Sequence, residues 1–350
     1  MDTMSGSGAA LSGAALSGAA SDAALDAQCR RIAAWSLALE RVTGALPERG
    51  EEILELAESL DAYFGWEPFG LPDEGPDDIA QAALACLRVV TPDDLQRAIE
   101  KLPVFPLAAQ RALSVILRDD WSVADLESVA ASDQALAAQL IRAANSGTRP
   151  TWRPIATIPQ SILHIGADRA SRIIYAASIQ PMYATPRLRD LWHHSLASAE
   201  VAESLGRISR SIDPKKAFLA GLVHDIGVLA MSGLPQLFHD LMSRVTSLGC
   251  ESIQAERALC GFSHAQAGAL ALRTWAFPEE ISLAVEFHHA PERSGDSLPS
   301  ILYLTEQWTD ASEDAPSVAR FHFALKRLGI SERQFEQLAP PEDLRSLQIA

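Results

Sequence analysis

Residues 217–231 read AFLAGLVHDIGVLAM, and the fold turns on how this stretch is read. Phe218, Leu222, Ile226 and Leu229 recur at helical spacing and form one apolar face. Asp225 falls on the same stripe, three residues after Leu222 and four before Leu229. A carboxylate on a core-facing stripe is expected to be buried. Without a partner it would cost several kcal/mol, so a metal ion, a histidinium or several hydrogen-bond donors must meet it. His224 stands beside it, about 100° around the helix, where two neighbouring side chains can converge on one ion or one proton.

Outward from this stretch the same helical grammar repeats. Thr91-Pro92-Asp93-Asp94 places a capping hydroxyl, a proline at the first helical position and two acids in a positive first turn. Asp213-Pro214 and Phe277-Pro278 also put proline where a helix should begin. Amphipathic runs such as PLAAQRALSVIL, QALAAQLIRAANS and RLRDLWHHSLASAEVAESLGRI follow one another across short Gly, Pro and Ser turns. Strand-like alternation is absent, so the expected class is all-α, a multi-helix bundle.

Charge is distributed unevenly along the chain. The formal net charge is −16, and among the first hundred residues eighteen acids face six arginines and no lysine. An acidic surface argues against binding nucleic acid or an anionic membrane, since both attractions need basic side chains. Residues 1–25 repeat an S-G-A-A-L unit too poor in apolar area to offset its ordering entropy, and are expected to be a disordered tail. Residues 26–92 read as an acidic helical segment. The four cysteines, Cys29, Cys86, Cys250 and Cys260, form no CxxC pair and read as reduced thiols. No run approaches the ~18 apolar residues of a membrane span, and the N-terminus lacks a signal's positive flank, so the cytoplasm is the expected compartment.

Seven of the nine histidines, His193, His194, His224, His239, His264, His288 and His289, lie within one hundred residues of this helical region. Imidazole and carboxylate from facing helices are a common way to build a metal site in a bundle core, and mixed nitrogen and oxygen donors suit iron, manganese or zinc. A metal-free network that pins the helices together accounts for the same residues equally well. His164, His193, His239 and His322 read as surface or backbone-satisfied histidines.

The order His194-Ser195, His224-Asp225-Ile226-Gly227, His264 and His288-His289 resembles the HD superfamily. Leu102-Pro103-Val104-Phe105-Pro106, then ALAAQLIRAANS at 135–146 and IATIPQSILHIGADRASRII at 155–174, are similar to the opening segments of its HDOD branch. AFLAGLVHDIG and GFSHAQAGALALRTWAFPEEISLAVEFHH, at 261–289, continue that resemblance, which covers 102–289. It implies an HDOD domain over 93–296, with residues 297–350 as a helical extension packing on the bundle.

The resemblance also implies a ligand set. Catalytic relatives that hydrolyse cyclic di-GMP would place metals among His194, His224, Asp225, His264, His288 and His289, with Glu306 in YLTEQW where the final aspartate usually falls. Two departures stand out. Catalytic members commonly carry a phosphate-holding lysine where this chain has Val228, and the HD-GYP type carries glutamate where this chain has Ala290, followed by a loop that is missing here. The expectation is a non-catalytic module of bacterial signal transduction that binds a protein partner or a small ligand. The alternative is a metal-dependent phosphohydrolase.

Overall fold

The computed structural model describes residues 90, 92–118, 120–146, 154–185, 188–247, 252–309 and 318–339. The expected tail over 1–25, and all of the acidic segment before Val90, lie outside the described residues. Those described are helical and contain no strand, and none of their helices is long and apolar enough to cross a membrane. The chain divides into two compact units, one of residues 1–100 with 231–264, the other of 101–230 with 265–350.

The first unit holds α1 (Pro92–Glu100), which opens on its proline with Asp93 and Asp94 in the first turn. Also in this unit, among the described residues, are α10 (Gln236–Ser247) and α11 (Ser252–Cys260), which pack on one another. Phe238, Leu241, Ala255 and Leu259 are buried there, and the Val90 amide donates to the Leu259 carbonyl at 3.3 Å.

The second unit begins with α2 (Leu107–Ile116), α3 (Val123–Ala131), α4 (Gln134–Asn145), α5 (Ile158–Ile165) and α6 (Ala167–Ile179). These helices pack on one another in a cluster, and their starts are chemically marked. Ser122 caps α3 in a reciprocal box with Asp125, Asp133 caps α4 through the amides of Ala135 and Leu136, and Thr157 caps α5. A 3-10 turn at Gln180–Tyr183 leads on to α7 (Arg189–Ser209), the 21-residue spine of the unit.

α8 (Pro214–Val223) runs back along α7, and the two helices make the most extensive contact among the described helices. Glycine makes this possible at one point. A Cβ on Gly221 would lie 2.7 Å from the Ser198 carbonyl oxygen and 2.8 Å from the Ala202 Cβ, so the backbones meet where any side chain would hold them apart. The remaining α-helices among the described residues are α9 (Gly227–Met231), α12 (His264–Thr274), α13 (Glu279–Glu286), α14 (Leu298–Thr309), α15 (Val318–Leu328) and α16 (Glu332–Glu336). α9 and α12 each cross a unit boundary at one terminal residue. α14 packs on α7, α8, α13 and α15, and is buried from Leu298 to Glu306.

The stretch 217–231 departs from one continuous helix. Phe218, Leu222, Ile226 and Leu229 are all buried as their spacing predicts. The helix nevertheless breaks at 224–226. Amides of Ile226, Val228 and Leu229 donate three residues back, to Val223, Asp225 and Ile226 at 2.9–3.1 Å, a tighter winding than the α-helix. His224 and Asp225 therefore sit on a turn between α8 and α9.

Candidate metal centre

Four side chains from three places in the second unit converge. α7 carries His194, the α8–α9 turn carries His224 and Asp225, and α14 carries Glu306. Each contributes one ligand-capable atom, and those atoms all lie within 4.8 Å of one another. His224 Nε2 is the hub, 3.0 Å from His194 Nε2, 2.6 Å from Glu306 Oε1 and 3.3 Å from Asp225 Oδ2. His194 Nε2 is also 3.3 Å from Glu306 Oε1 and 3.6 Å from Asp225 Oδ2. His288, in the turn after α13, brings its Nε2 to 3.7 Å from Asp225 Oδ1.

Backbone carbonyls orient two of these rings. His224 Nδ1 donates to the Gly221 carbonyl at 2.8 Å, and His288 Nδ1 donates to the Val285 carbonyl at 2.6 Å. With the proton placed on Nδ1, each ring turns Nε2 toward the carboxylates. Gly221 thus serves twice, letting α8 approach α7 and anchoring the hub imidazole.

A neutral His224 would point a lone pair at two carboxylates and a second imidazole, an arrangement that demands a cation between them or a proton on the ring. Burial works against charging His224, yet Asp225 and Glu306 outweigh it and hold its pKa well above the ordinary imidazole value. Burial likewise opposes the charged form of Glu306, and His224 and His194 overcome it, holding the carboxyl well below its usual range. His194 is raised against its own burial by Glu306 and Asp225, despite the opposing charge of His224. Two imidazoles and two carboxylates with Nε2 and oxygen facing inward also fit one divalent cation, by donor type and by convergence.

The other candidates are placed differently. His264 lies in the first unit, where its backbone amide and Nδ1 both donate to Glu256, each at 2.8 Å. His289 is half-buried with its ring 4.0 Å from that of His288. His322 faces Glu332 on the surface at 2.9 Å, and His164 is exposed. Three contributors were not named from sequence. Ser198 sits one turn after His194 with Oγ 3.4 Å from its Nε2, a spacing that could have flagged it. Glu256 is buried on α11, eight residues before the imidazole it holds, and its periodicity gave no sign of that role. Tyr183 is fully buried, and burial raises its hydroxyl pKa despite Ser195 beside it, with Asp225 adding to the rise.

An all-helical domain with imidazoles and carboxylates gathered between its helices defines the class. The chain belongs to the HDOD family, whose HDOD domain model matches residues 102–291. A solved structure from Shewanella amazonensis SB2B, provisionally described as a phosphohydrolase, is similar at a TM-score of 0.55 and 22% identity, over 68% of this chain and 88% of its own. Another from Marinobacter aquaeolei VT8, provisionally described as a signal transduction protein, is similar at a TM-score of 0.57 and 23% identity, over 70% and 62% respectively. An uncharacterized protein of Treponema pallidum (strain Nichols) is 21% identical over 253 residues, 69% of this chain. The chain spans about half the length of that curated relative, 48%.

Proposed function

We propose that this chain is a non-catalytic regulatory protein of bacterial signal transduction, acting in the cytoplasm, whose HDOD domain binds a protein partner or a small ligand. His194, His224, Asp225 and Glu306 hold one divalent ion, iron, manganese or zinc, with His288 beside them. When bound, such an ion neutralises the two carboxylates and ties α7, the α8–α9 turn and α14 together. The chain's own residues do the remaining work. Gly221 and Val285 fix the ring orientations, and the burial of His224 and Glu306 keeps water from competing at those two donors.

The observation that carries the non-catalytic reading is the pair Val228 and Ala290. Val228 follows the His-Asp turn and Ala290 follows His288-His289, so two positions beside the site offer neither charge nor a side-chain donor to a phosphate. Phosphoryl chemistry needs such groups to neutralise charge that develops in the transition state. The phosphohydrolase reading draws on the same donor set, and the Shewanella protein's description favours it.

One experiment separates the two. The purified chain is loaded with manganese or iron, its metal content is measured, and it is assayed against a generic phosphodiester. The expected result is bound metal without turnover. Turnover that disappears in both His224→Ala and Asp225→Ala would replace the regulatory reading with the enzymatic one.

A further inference from the structure

At the opposite end of α8 from the histidine cluster lies a cavity of about 180 Å³. It is well below the roughly 300–1,000 Å³ of pockets that take drug-sized molecules, so its occupant has few heavy atoms. Its inner wall is built around Glu203 of α7, which is 4% exposed. Arg172, reaching across from α6, and Arg207, one turn along α7, both donate to this carboxylate, Arg207 at 2.6 Å. One carboxylate between two guanidinium groups leaves that wall with an excess positive charge. Lys215 adds to it, its ammonium held 5.1 Å from the centre of the Trp121 ring.

The rim has the opposite sign. Asp168 in the first turn of α6 and Asp213 at the cap of α8 both line the cavity and are both exposed. Asp213 accepts the Lys215 backbone amide at 2.9 Å. Buried Ile116 and Phe218 supply apolar lining. A simple anion would meet the two aspartates, and a simple amine would meet the guanidinium wall. A molecule carrying both charges a few bonds apart satisfies both sides.

We propose that this cavity binds a free α-amino acid with a small or apolar side chain. Arg207 and Lys215 take the carboxylate, with the charge of Arg172 behind them. Asp168 and Asp213 take the ammonium group, and the side chain rests on Ile116 and Phe218. This site is separate from the histidine cluster and gives a small-ligand regulator a ligand of defined class.

The test is calorimetric titration of the full-length chain, in chelator so that any ion at the histidine site plays no part. The probes are each of the twenty amino acids, with acetate, methylammonium and inorganic phosphate as single-sign controls. At least one amino acid with a small or apolar side chain is expected to saturate while the controls do not. Arg207→Gln and Asp168→Asn should each weaken that binding about tenfold or more, the order expected of one lost charge-assisted hydrogen bond. Asp168 is exposed, so its variant keeps the test sound should Arg207→Gln disturb the Glu203 pairing. Failure of every small or apolar amino acid to saturate would overturn the proposal. So would a control ion binding as tightly as the best amino acid, or an affinity unchanged in both variants.

Discussion

His224 shows how much one buried side chain can be asked to do. It is 1% exposed, donates through Nδ1 to the Gly221 carbonyl in α8, and presents Nε2 to His194, Asp225 and Glu306. Replacing it with alanine would leave two carboxylates near one another without their hub cation. Breaking a buried pair in this way typically costs about 3–5 kcal/mol, because the surviving charge stays desolvated. His224→Ala is therefore expected to lose stability on that order in urea unfolding of the metal-free protein. Adding Glu306→Gln should recover part of the loss, since a neutral amide needs no counter-charge. A loss under about 1 kcal/mol would mean that the carboxylates are compensated by something other than His224.

At the scale of helices, two devices set the geometry, a close approach and a set of caps. The contact of Gly221 with the Ser198 carbonyl is backbone against side-chain space, so an added methyl forces α7 and α8 apart. Gly221→Ala is expected to cost about 1–3 kcal/mol, as overpacking does, and to weaken metal binding as well, because His224 follows one turn later. A variant of normal stability and normal metal affinity would show that the helices tolerate separation. The caps are easier to isolate. Ser122→Ala removes the acceptor for the Asp125 amide, and a loss of about 1 kcal/mol in urea unfolding is expected. Asp125 contributes in a pH-dependent way. Its pKa is lowered from 3.8, first by the Ser122 backbone amide and then by the Ser122 hydroxyl, with the Arg118 charge adding a smaller pull. Its stabilisation is thus fully present above the unfolded value and is lost as pH falls through the lower folded one. The stability gap between the native chain and Asp125→Asn should be open at neutral pH and close below about pH 4; a gap that is constant with pH would assign it to packing.

Across the whole molecule, legibility followed the reach of the signal. Helical class was readable because capping residues, first-turn prolines and apolar spacing are local properties, and they agree from Pro92 to Glu336. Asp225 was readable as drawn toward the core because it interrupts an apolar stripe, although it is only partly buried, its side chain 16% exposed. The break at 224–226 was not, since Phe218, Leu222, Ile226 and Leu229 have the same spacing whether the winding is uniform or tightens for one turn. Glu306 was found only through family order, because nothing in YLTEQW signals that a residue eighty-two positions after His224 returns to it. Glu256 escaped for the same reason, its role being fixed by tertiary proximity to His264. The assembly of α7, the α8–α9 turn and α14 around one centre has a consequence for global stability. An ion that binds only the folded chain stabilises it by about 2.7 kcal/mol at one hundred times its dissociation constant. Since 1 kcal/mol moves the midpoint of a domain of 150–250 residues by about 2–4 °C, thermal unfolding of this longer chain should rise by several degrees in saturating manganese. Chelator should reverse the rise. Asp225→Asn keeps the shape of that side chain and removes its charge, so its midpoint should respond weakly or not at all. An equal rise in the native chain and in Asp225→Asn would place the ion elsewhere and leave His194, His224, Asp225 and Glu306 as a proton-balanced network.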